Sequence, residues 1–182
     1  MTITHHDGAW IDATLERLGL QAFGDVDAGA PVAIIGIRRR GSILAERLAR
    51  IMRAKGRAFE LGHVDITLYR DDIAARGGRK PIQPSDIPFD LAGRHIILVD
   101  DVLHTARTVR AALTELMDYG RPKCIRLLCL VDRGGRELPI CADYVGAAVA
   151  VAEGRRVRVL LAETDGSDAV VEAPAKSGEG AA

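Results

Sequence analysis

The sequence predicts a single α/β domain with a mainly parallel central sheet and flanking helices. Two observations lead to this fold class. Short, apolar, β-branched segments alternate with segments whose apolar residues recur at helical spacing, an order typical of β-α-β units. The chain has 182 residues, of which 48% are apolar, which suffices for one core and makes two independent domains unexpected.

The individual elements follow from local patterns. A strand begins after the Gly-Ala-Pro breaker at 29–31, and apolar residues at positions 44, 48, 51 and 52 mark a helix that Gly56 closes. Another helix is stopped by Gly120 and Pro122. The predicted strands cover residues 32–37, 58–69, 95–100, 124–132, 142–149 and 156–163, and the predicted helices cover 42–54 and 108–119.

Three segments are expected to lie outside this domain core. Residues 1–30 precede the predicted domain at 31–163, and their polar start is expected to be disordered. Residues 71–88, in a stretch rich in Gly, Pro and charge, are expected to form a loose hairpin that serves as a flexible lid. Residues 164–182 are expected to form a disordered tail.

The charge is balanced over the whole chain and uneven within it. Twenty-five basic and 25 acidic residues give a formal net charge of zero, so no global field draws the protein to nucleic acid or membrane. Within residues 37–60, however, eight basic residues against two acidic ones give a net charge of +6. Such a stretch suits phosphate, pyrophosphate or an RNA backbone, but for Arg47, Arg50 and Arg53 a solvated helix face is the favoured explanation.

Neither the N-terminus nor the cysteines indicate secretion or membrane insertion. The opening residues lack a basic stretch followed by an apolar core, and no apolar run reaches the roughly 18 residues of a membrane span. Cys124, Cys129 and Cys141 form neither an even disulfide framework nor a closely spaced metal pair. We therefore expect a cytoplasmic protein without a membrane partner.

The most informative passage covers residues 96–108, where an apolar strand ends in two adjacent acids and a loop with hydroxyl groups opens a helix. Backbone N–H groups at a helix start, together with threonine hydroxyls, can hold a phosphate group, and carboxylates can accept hydrogen bonds from sugar hydroxyls. Ligands of open α/β sheets bind beyond the carboxyl ends of the strands, where this loop and the arginine loop at 38–41 both fall. Taken singly, these residues are better explained as helix caps and a surface acid.

Taken together, the strand, acid pair, hydroxyl loop and helix resemble the 5-phosphoribosyl pyrophosphate (PRPP) signature of type I phosphoribosyltransferases. Further segments resemble the PyrR family, pyrimidine-operon attenuation regulators that are also uracil phosphoribosyltransferases. The resemblance covers roughly residues 31–162 and implies the type I phosphoribosyltransferase fold. The segments are GIRRRGSILAERLARI at 36–51, VDITLYRDDI at 64–73, VDDVLHTARTVRAAL at 99–113, and GRP followed by VDRGGRELPICADYVG within 120–146.

The resemblance implies transfer of phosphoribose from PRPP to uracil, which gives UMP and pyrophosphate, with Mg²⁺ as the cofactor. Asp100, Asp101 and Arg70 are the implied catalytic residues. The two aspartates would also bind the metal, largely through substrate or water. Arg70 and the lid at 71–88 would close over PRPP and exclude water.

The resemblance also assigns the residues that bind the substrates. Arg39 and Arg40 match pyrophosphate-binding positions, and uracil would lie near 132–144, with Asp132 and Arg133 as contacts. The 5′-phosphate cradle would consist of Leu103, His104, Thr105, Ala106, Arg107 and Thr108. In this family UMP or UTP strengthens binding to a leader-RNA hairpin, and the proteins form homodimers or homotetramers.

The chain departs from the family pattern at four positions. Ala106 replaces the usual glycine of the phosphate loop, and a positive φ there would cost alanine roughly 1–2 kcal/mol. His104 replaces a tyrosine, Arg39 a threonine, and Cys141 an arginine near the uracil segment. Two alternatives to an active uracil enzyme therefore remain. These are a catalytically weak, nucleotide-sensing RNA regulator and a phosphoribosyltransferase for another base.

Overall fold

The computed structural model describes residues 1–67 and 84–175 of the chain. Over these two ranges, no helix combines the length and apolar character needed to cross a membrane. The strands are β1 (Ile3–Asp7), β2 (Val32–Ile37), β3 (Glu60–Val64), β4 (His95–Leu103), β5 (Cys124–Asp132), β6 (Tyr144–Ala148), β7 (Arg155–Leu160) and β8 (Ala169–Pro174). The helices are α1 (Gly8–Gly24), α2 (Arg40–Ala54), α3 (Arg107–Asp118) and α4 (Ala162–Asp165).

Strands β2 to β6 form the central sheet in the order β3-β2-β4-β5-β6, and every neighbouring pair is parallel. Val32 pairs with His95, and His95 pairs with Cys124, so the middle strands start level and end at one edge. All six residues of β2 are buried, as expected for a strand covered on both faces. This arrangement confirms the predicted α/β fold with a parallel sheet.

The core has two layers because successive side chains of each strand point to opposite faces. Ile34 and Ile97 pack with apolar residues of α1 and α2 on one face. Ile35 and Leu98 pack with Val109 and other α3 residues on the other face. The two clusters fix the orientation of α2 and α3, whose N-termini follow β2 and β4 directly.

The N-terminal region is ordered, contrary to the expectation for its first residues. Strand β1 pairs antiparallel with β8, and α1 begins at the Asp7 side chain, which accepts a hydrogen bond from the Trp10 amide at 3.0 Å. Ile11, Leu15 and Leu18 of α1 are fully buried against the sheet. This helical spacing of apolar residues is visible in the sequence, and the prediction overlooked it.

The expectation of a disordered tail from residue 164 is wrong over the described residues. Strand β8 pairs antiparallel with β7 and with β1, which gives a second, three-stranded sheet that we call the terminal sheet. Strand β8 is stabilised by β1 from the N-terminal end of the chain and by β7 from the C-terminal part. Local sequence patterns do not reveal such pairing between distant segments. Residues 176–182 and residues 71–83 of the expected lid lie outside the described part of the chain.

Candidate active site

The acid pair and the arginine loop meet at the carboxyl edge of the central sheet, where β2 and β4 lie side by side. Helix α2 starts directly against β4. The approach is so close that a Cβ atom added at Gly41 would lie 2.5 Å from the Val99 carbonyl oxygen. Only a glycine allows this approach. The loop that carries Arg39 and Arg40 is thereby held next to Asp100, as the prediction for ligand sites of α/β sheets requires.

Asp100 and Asp101 lie in the second half of β4, and Asp100 is buried with 5% of its surface exposed. The Asp101 amide donates a hydrogen bond of 2.9 Å to Oδ1 of Asp100. Burial raises the pKa of Asp100 well above its usual range, and the neighbouring Asp101 charge raises it further. Burial also raises the pKa of Asp101, against which the Arg40 charge acts. Two carboxyl groups crowded in this way favour a bound cation or hydrogen-bond donor.

The donor set suits Mg²⁺ held mostly by oxygens from outside the protein. Within residues 1–67 and 84–175, no third His, Cys, Asp or Glu side chain completes a metal-binding group with the two aspartates. Mg²⁺ in proteins commonly keeps several waters and binds through one or two carboxylates and substrate phosphates. Asp100 and Asp101 fit that pattern.

The loop after β4 has the backbone shape of an anion-binding turn. Ala106 adopts the left-handed conformation, with φ 71°, and directly precedes α3. The N-cap residue Ala106 makes no side-chain hydrogen bond to α3, as expected where a helix N-terminus binds an anion instead. Ala106 thus has the positive φ at which alanine is costly. The Thr105 hydroxyl accepts only a long hydrogen bond of 3.4 Å from the Arg107 amide.

The arginine loop contacts α4, the short helix between β7 and β8 of the terminal sheet. This contact could not be predicted from the sequence. The Arg38–Arg39 peptide bond is cis, and Arg39 is exposed to solvent. Arg40 is half-buried and donates from Nη2 to both carboxylate oxygens of Asp165, at 3.0 and 3.1 Å. The cation assigned to pyrophosphate thus already has a carboxylate partner in α4.

Arg47, about two turns after Arg40 in α2, does not lie on a solvated face, contrary to the expectation. It is 9% exposed and donates hydrogen bonds of 2.6–2.9 Å to Glu163 and Asp168 of the terminal region. Arg50 and Arg53 are exposed, as predicted. The basic stretch therefore serves two purposes, since two of its arginines, Arg40 and Arg47, join α2 to carboxylates between β7 and β8.

Residues 133–140, which we call the clamp loop, follow β5 and contact the phosphate loop. Arg133 Nη1 lies 3.0 Å from Nδ1 of His104, which brings together two residues that the sequence assigned to different ligands. Burial lowers the pKa of His104, and the Arg133 charge lowers it further. The amides of Glu137 and Leu138 donate to the Thr105 carbonyl at 3.1 and 3.2 Å.

Two clamp-loop side chains have roles that the sequence prediction missed. Arg136 donates to the Asp132 carboxylate at 2.6 Å and to the His104 carbonyl at 2.9 Å, and Glu137 accepts from Arg107 Nε at 2.5 Å. The segment was recognised, but neither residue was singled out, because loop contacts have no periodicity from which to infer them. Arg70, by contrast, lies outside the described residues, and its assignment stays a prediction.

The described assignments otherwise fall in one region. Arg39, Arg40, Asp100, Asp101 and the 103–108 loop lie at the ends of β2 and β4. Asp132 ends the adjacent strand β5 and Arg133 follows it, and the two contact the same loop through Arg136 and His104. The site thus has an arginine side near α4 and a phosphate side near the clamp loop.

Comparison with known proteins shows which family the chain matches. The family described as phosphoribosyl transferase domain matches residues 9–152. Proteins named bifunctional protein PyrR are similar over most of the chain. That of Pelotomaculum thermopropionicum is 51% identical over 141 residues, covering 77% of this chain and 78% of the relative. That of Akkermansia muciniphila is 46% identical over 167 residues, covering 91% and 92%.

Solved structures share the fold at low sequence identity. A hypoxanthine-guanine phosphoribosyltransferase from Bacillus anthracis superposes with a TM-score of 0.70 at 17% identity, covering 95% of this chain and 98% of the other. A hypoxanthine phosphoribosyltransferase from Staphylococcus aureus gives 0.68 at 19% identity, covering 96% and 93%. These similarities support the fold alone.

Proposed function

The chain belongs to the phosphoribosyltransferase family and, within it, to the PyrR proteins, and on this basis we propose that it converts uracil and PRPP to UMP and pyrophosphate. One observation carries the proposal. In β4 the buried Asp100 and the half-buried Asp101 precede, by a short loop, the left-handed Ala106, which is the N-cap residue of α3 and makes no side-chain cap hydrogen bond. Ribose and phosphate can therefore bind side by side.

The charges in the site match those that develop during the reaction. When the C1–O bond of PRPP breaks, positive charge grows on the ribose ring and negative charge on the departing pyrophosphate. Asp100 and Asp101 would bind the ribose hydroxyls and stabilise the positive ring. Arg39 and Arg40 would bind pyrophosphate. To do so, Arg40 would release the Asp165 carboxylate and donate its hydrogen bonds to pyrophosphate instead. Mg²⁺, when bound near the two aspartates, supplies further charge neutralisation.

The phosphate loop and the clamp loop would position the two ends of the product nucleotide. The amides at the start of α3 would bind the 5′-phosphate, with the Thr105 and Thr108 hydroxyls as further donors. Asp132 and Arg133, at the end of β5, would bound the uracil site. Arg70 and the lid would exclude water. Competition of uracil with hypoxanthine and orotate tests this base preference against the alternative of another base.

A regulatory role is the second candidate, since the relatives are named bifunctional. We propose that UMP or UTP in the same site favours binding of pyrimidine-operon leader RNA, and exposed Arg50 and Arg53 supply positive charge for an RNA backbone. Leader-RNA binding that needs UMP and weakens steeply with salt supports this role, whereas no binding at low salt removes it. A cytoplasmic location and a homodimer or homotetramer complete the proposal, and light scattering tests the latter.

The decisive experiment measures UMP formation from uracil, PRPP and Mg²⁺. Asp101→Asn keeps the side-chain shape and removes its charge, so we expect it to slow turnover by at least about 100-fold. An inactive native protein whose turnover is restored by Ala106→Gly would make regulation the leading role. If neither turns over, the enzyme proposal fails.

A further inference from the structure

We propose that Arg136 is a positioning residue for the phosphate site, acting on it through the backbone carbonyls of the phosphate loop. This inference rests on the proposed function, because it assumes that the 103–108 loop binds a phosphate group. Arg136 itself would not touch the substrate.

The guanidinium of Arg136 joins three parts of the site. Its Nη2 donates to Asp132 at 2.6 Å, its Nη1 to the His104 carbonyl at 2.9 Å, and its Nε to the Ile140 carbonyl at 2.9 Å. The side chain is only 20% exposed, so these bonds are largely shielded from water. A rigid, planar group with donors in several directions can hold these three acceptors in fixed relative positions.

These bonds determine where the amides of the phosphate loop point. In a trans peptide unit the C=O and N–H bonds point in opposite directions. Since the His104 carbonyl faces Arg136, the Thr105 amide faces away from the clamp loop. The Thr105 carbonyl accepts from the amides of Glu137 and Leu138, so the Ala106 amide faces the same way as that of Thr105.

Two successive amides on one side of the chain form an anion-binding concavity. The left-handed Ala106 sets how the next peptide unit, at the start of α3, is turned relative to them. Arg136 fixes the first of these two peptide units, and the clamp-loop backbone fixes the second. Without Arg136 the first peptide unit can rotate and withdraw its amide from the phosphate.

Asp132 anchors the guanidinium that performs this task. It accepts from Arg136 and, at 2.8 Å, from the Gly134 amide. Burial acts to raise the pKa of Asp132, but these hydrogen bonds outweigh it and keep the pKa below its ordinary value. The anchor therefore stays ionised and paired at neutral pH.

The test is the ratio of the dissociation constants of uridine and UMP, which reports the contribution of the phosphate group alone. We expect UMP to bind the native protein more tightly than uridine, and Arg136→Ala to reduce that ratio by about tenfold, the loss of one hydrogen bond to a charged group. Arg136→Lys keeps the charge beside Asp132 but cannot hold all three acceptors, so we expect a smaller reduction of about threefold. Isothermal titration calorimetry measures both constants.

Arg126→Ala is the matched control. Arg126 also lies at β5 and also pairs with an aspartate, Asp143, at 3.0 Å, but it contacts neither the phosphate loop nor the clamp loop in its described hydrogen bonds. We expect it to keep the native ratio. If Arg136→Ala does not fold, Arg136→Lys carries the test.

An unchanged ratio in the folded variants, or equal weakening of uridine and UMP, would overturn the proposal and reduce Arg136 to a structural residue. A native protein that binds UMP no better than uridine would instead contradict the proposed function. The two failures are thus distinguishable.

Discussion

The two sides of the site are supported by different kinds of interaction. On the phosphate side, the clamp loop holds its neighbour mainly through the backbone carbonyls of His104 and Thr105, with one ion pair between Glu137 and Arg107, from residues about 30 positions away in the chain. On the arginine side, α2 is held by carboxylates of the terminal region, between 116 and 125 positions away. The phosphate side is thus built within consecutive strands of one sheet, whereas the arginine side depends on the docking of a second sheet through ion pairs.

This difference matches what each side has to do in the proposed reaction. The 5′-phosphate is bound in the substrate and in the product, so its loop benefits from fixed amides. Pyrophosphate must leave, and Arg40 must then regain a partner. Asp165 provides that partner in the structure. Ion pairs respond to salt and pH, whereas backbone hydrogen bonds respond little, so the two sides can be disturbed separately.

The largest expected effect is that of Arg47→Ala on the arginine side. Arg47 is nearly buried, and its loss leaves Glu163 and Asp168 without the cation that both contact. Removing one partner of a fully buried pair costs about 3–5 kcal/mol, and the partial exposure of Glu163 lowers our expectation to about 2–3 kcal/mol. Urea unfolding measures this loss.

Arg50→Ala is the control for Arg47→Ala, since Arg50 is an exposed arginine on the same helix. We expect its effect to stay within about 0.5 kcal/mol. Equal effects of the two substitutions would mean that the terminal sheet docks without the Arg47 ion pairs, and the contrast between the two sides would fail.

Much of the phosphate side could be predicted from the sequence because its determinants are local. The apolar run of β4, the acid pair and the helix start are consecutive, and each has a recognisable pattern. The glycine that the family has at position 106 also indicated that this position could need a positive φ, at which alanine is costly. Arg136 was not predicted because the path of a loop, rather than a local pattern, brings its hydrogen-bond acceptors together.

The arginine side could be predicted only in part, for a physical reason. The pairing of Arg47 with Glu163 and Asp168 depends on how β8 joins β1 and β7, and six residues of strand carry little evidence of distant partners. An arginine on the polar side of an amphipathic helix also has the same local pattern whether water or a carboxylate faces it. Helix α1 differs, because its apolar spacing was available and was overlooked.

Acidification should weaken the ion pairs of the arginine side, with an effect smaller than that of Arg47→Ala because it acts on the same ion pairs. Hydrogen bonds from Arg47 lower the pKa values of Glu163 and Asp168 from the ordinary 4.5 and 3.8. A lowered pKa in the folded state contributes stability that is present above the unfolded value and is lost as pH falls through the folded one. Urea unfolding from pH 6 to about 3 should therefore show that the difference in the free energy of unfolding between native protein and Arg47→Ala becomes smaller as the pH falls.

A gap that stays constant down to the lowest pH would show that Arg47 stabilises the fold through its apolar stem rather than through its charge. Asp132→Asn provides a comparison from the phosphate side, since it removes a titrating partner of Arg136 while Glu163 and Asp168 remain. Narrowing that survives in this variant assigns the pH effect to the arginine side.

The smallest expected effect is that of Ala106→Gly, on the phosphate side. The left-handed backbone costs alanine about 1–2 kcal/mol, which glycine removes. Against this gain, glycine raises the entropy of the unfolded chain by about 0.4–1 kcal/mol and loses a buried methyl group worth about 0.8 kcal/mol. The opposing contributions nearly cancel, so urea unfolding should show a change within about 1 kcal/mol.

Because Arg136 and the clamp-loop amides orient the peptide units on both sides of Thr105, Ala106→Gly should also keep the ratio of the uridine and UMP dissociation constants within about threefold of native. A ratio that rises more than about tenfold would show that the Ala106 methyl group obstructs phosphate, and that residue 106, rather than the clamp loop, limits this side of the site.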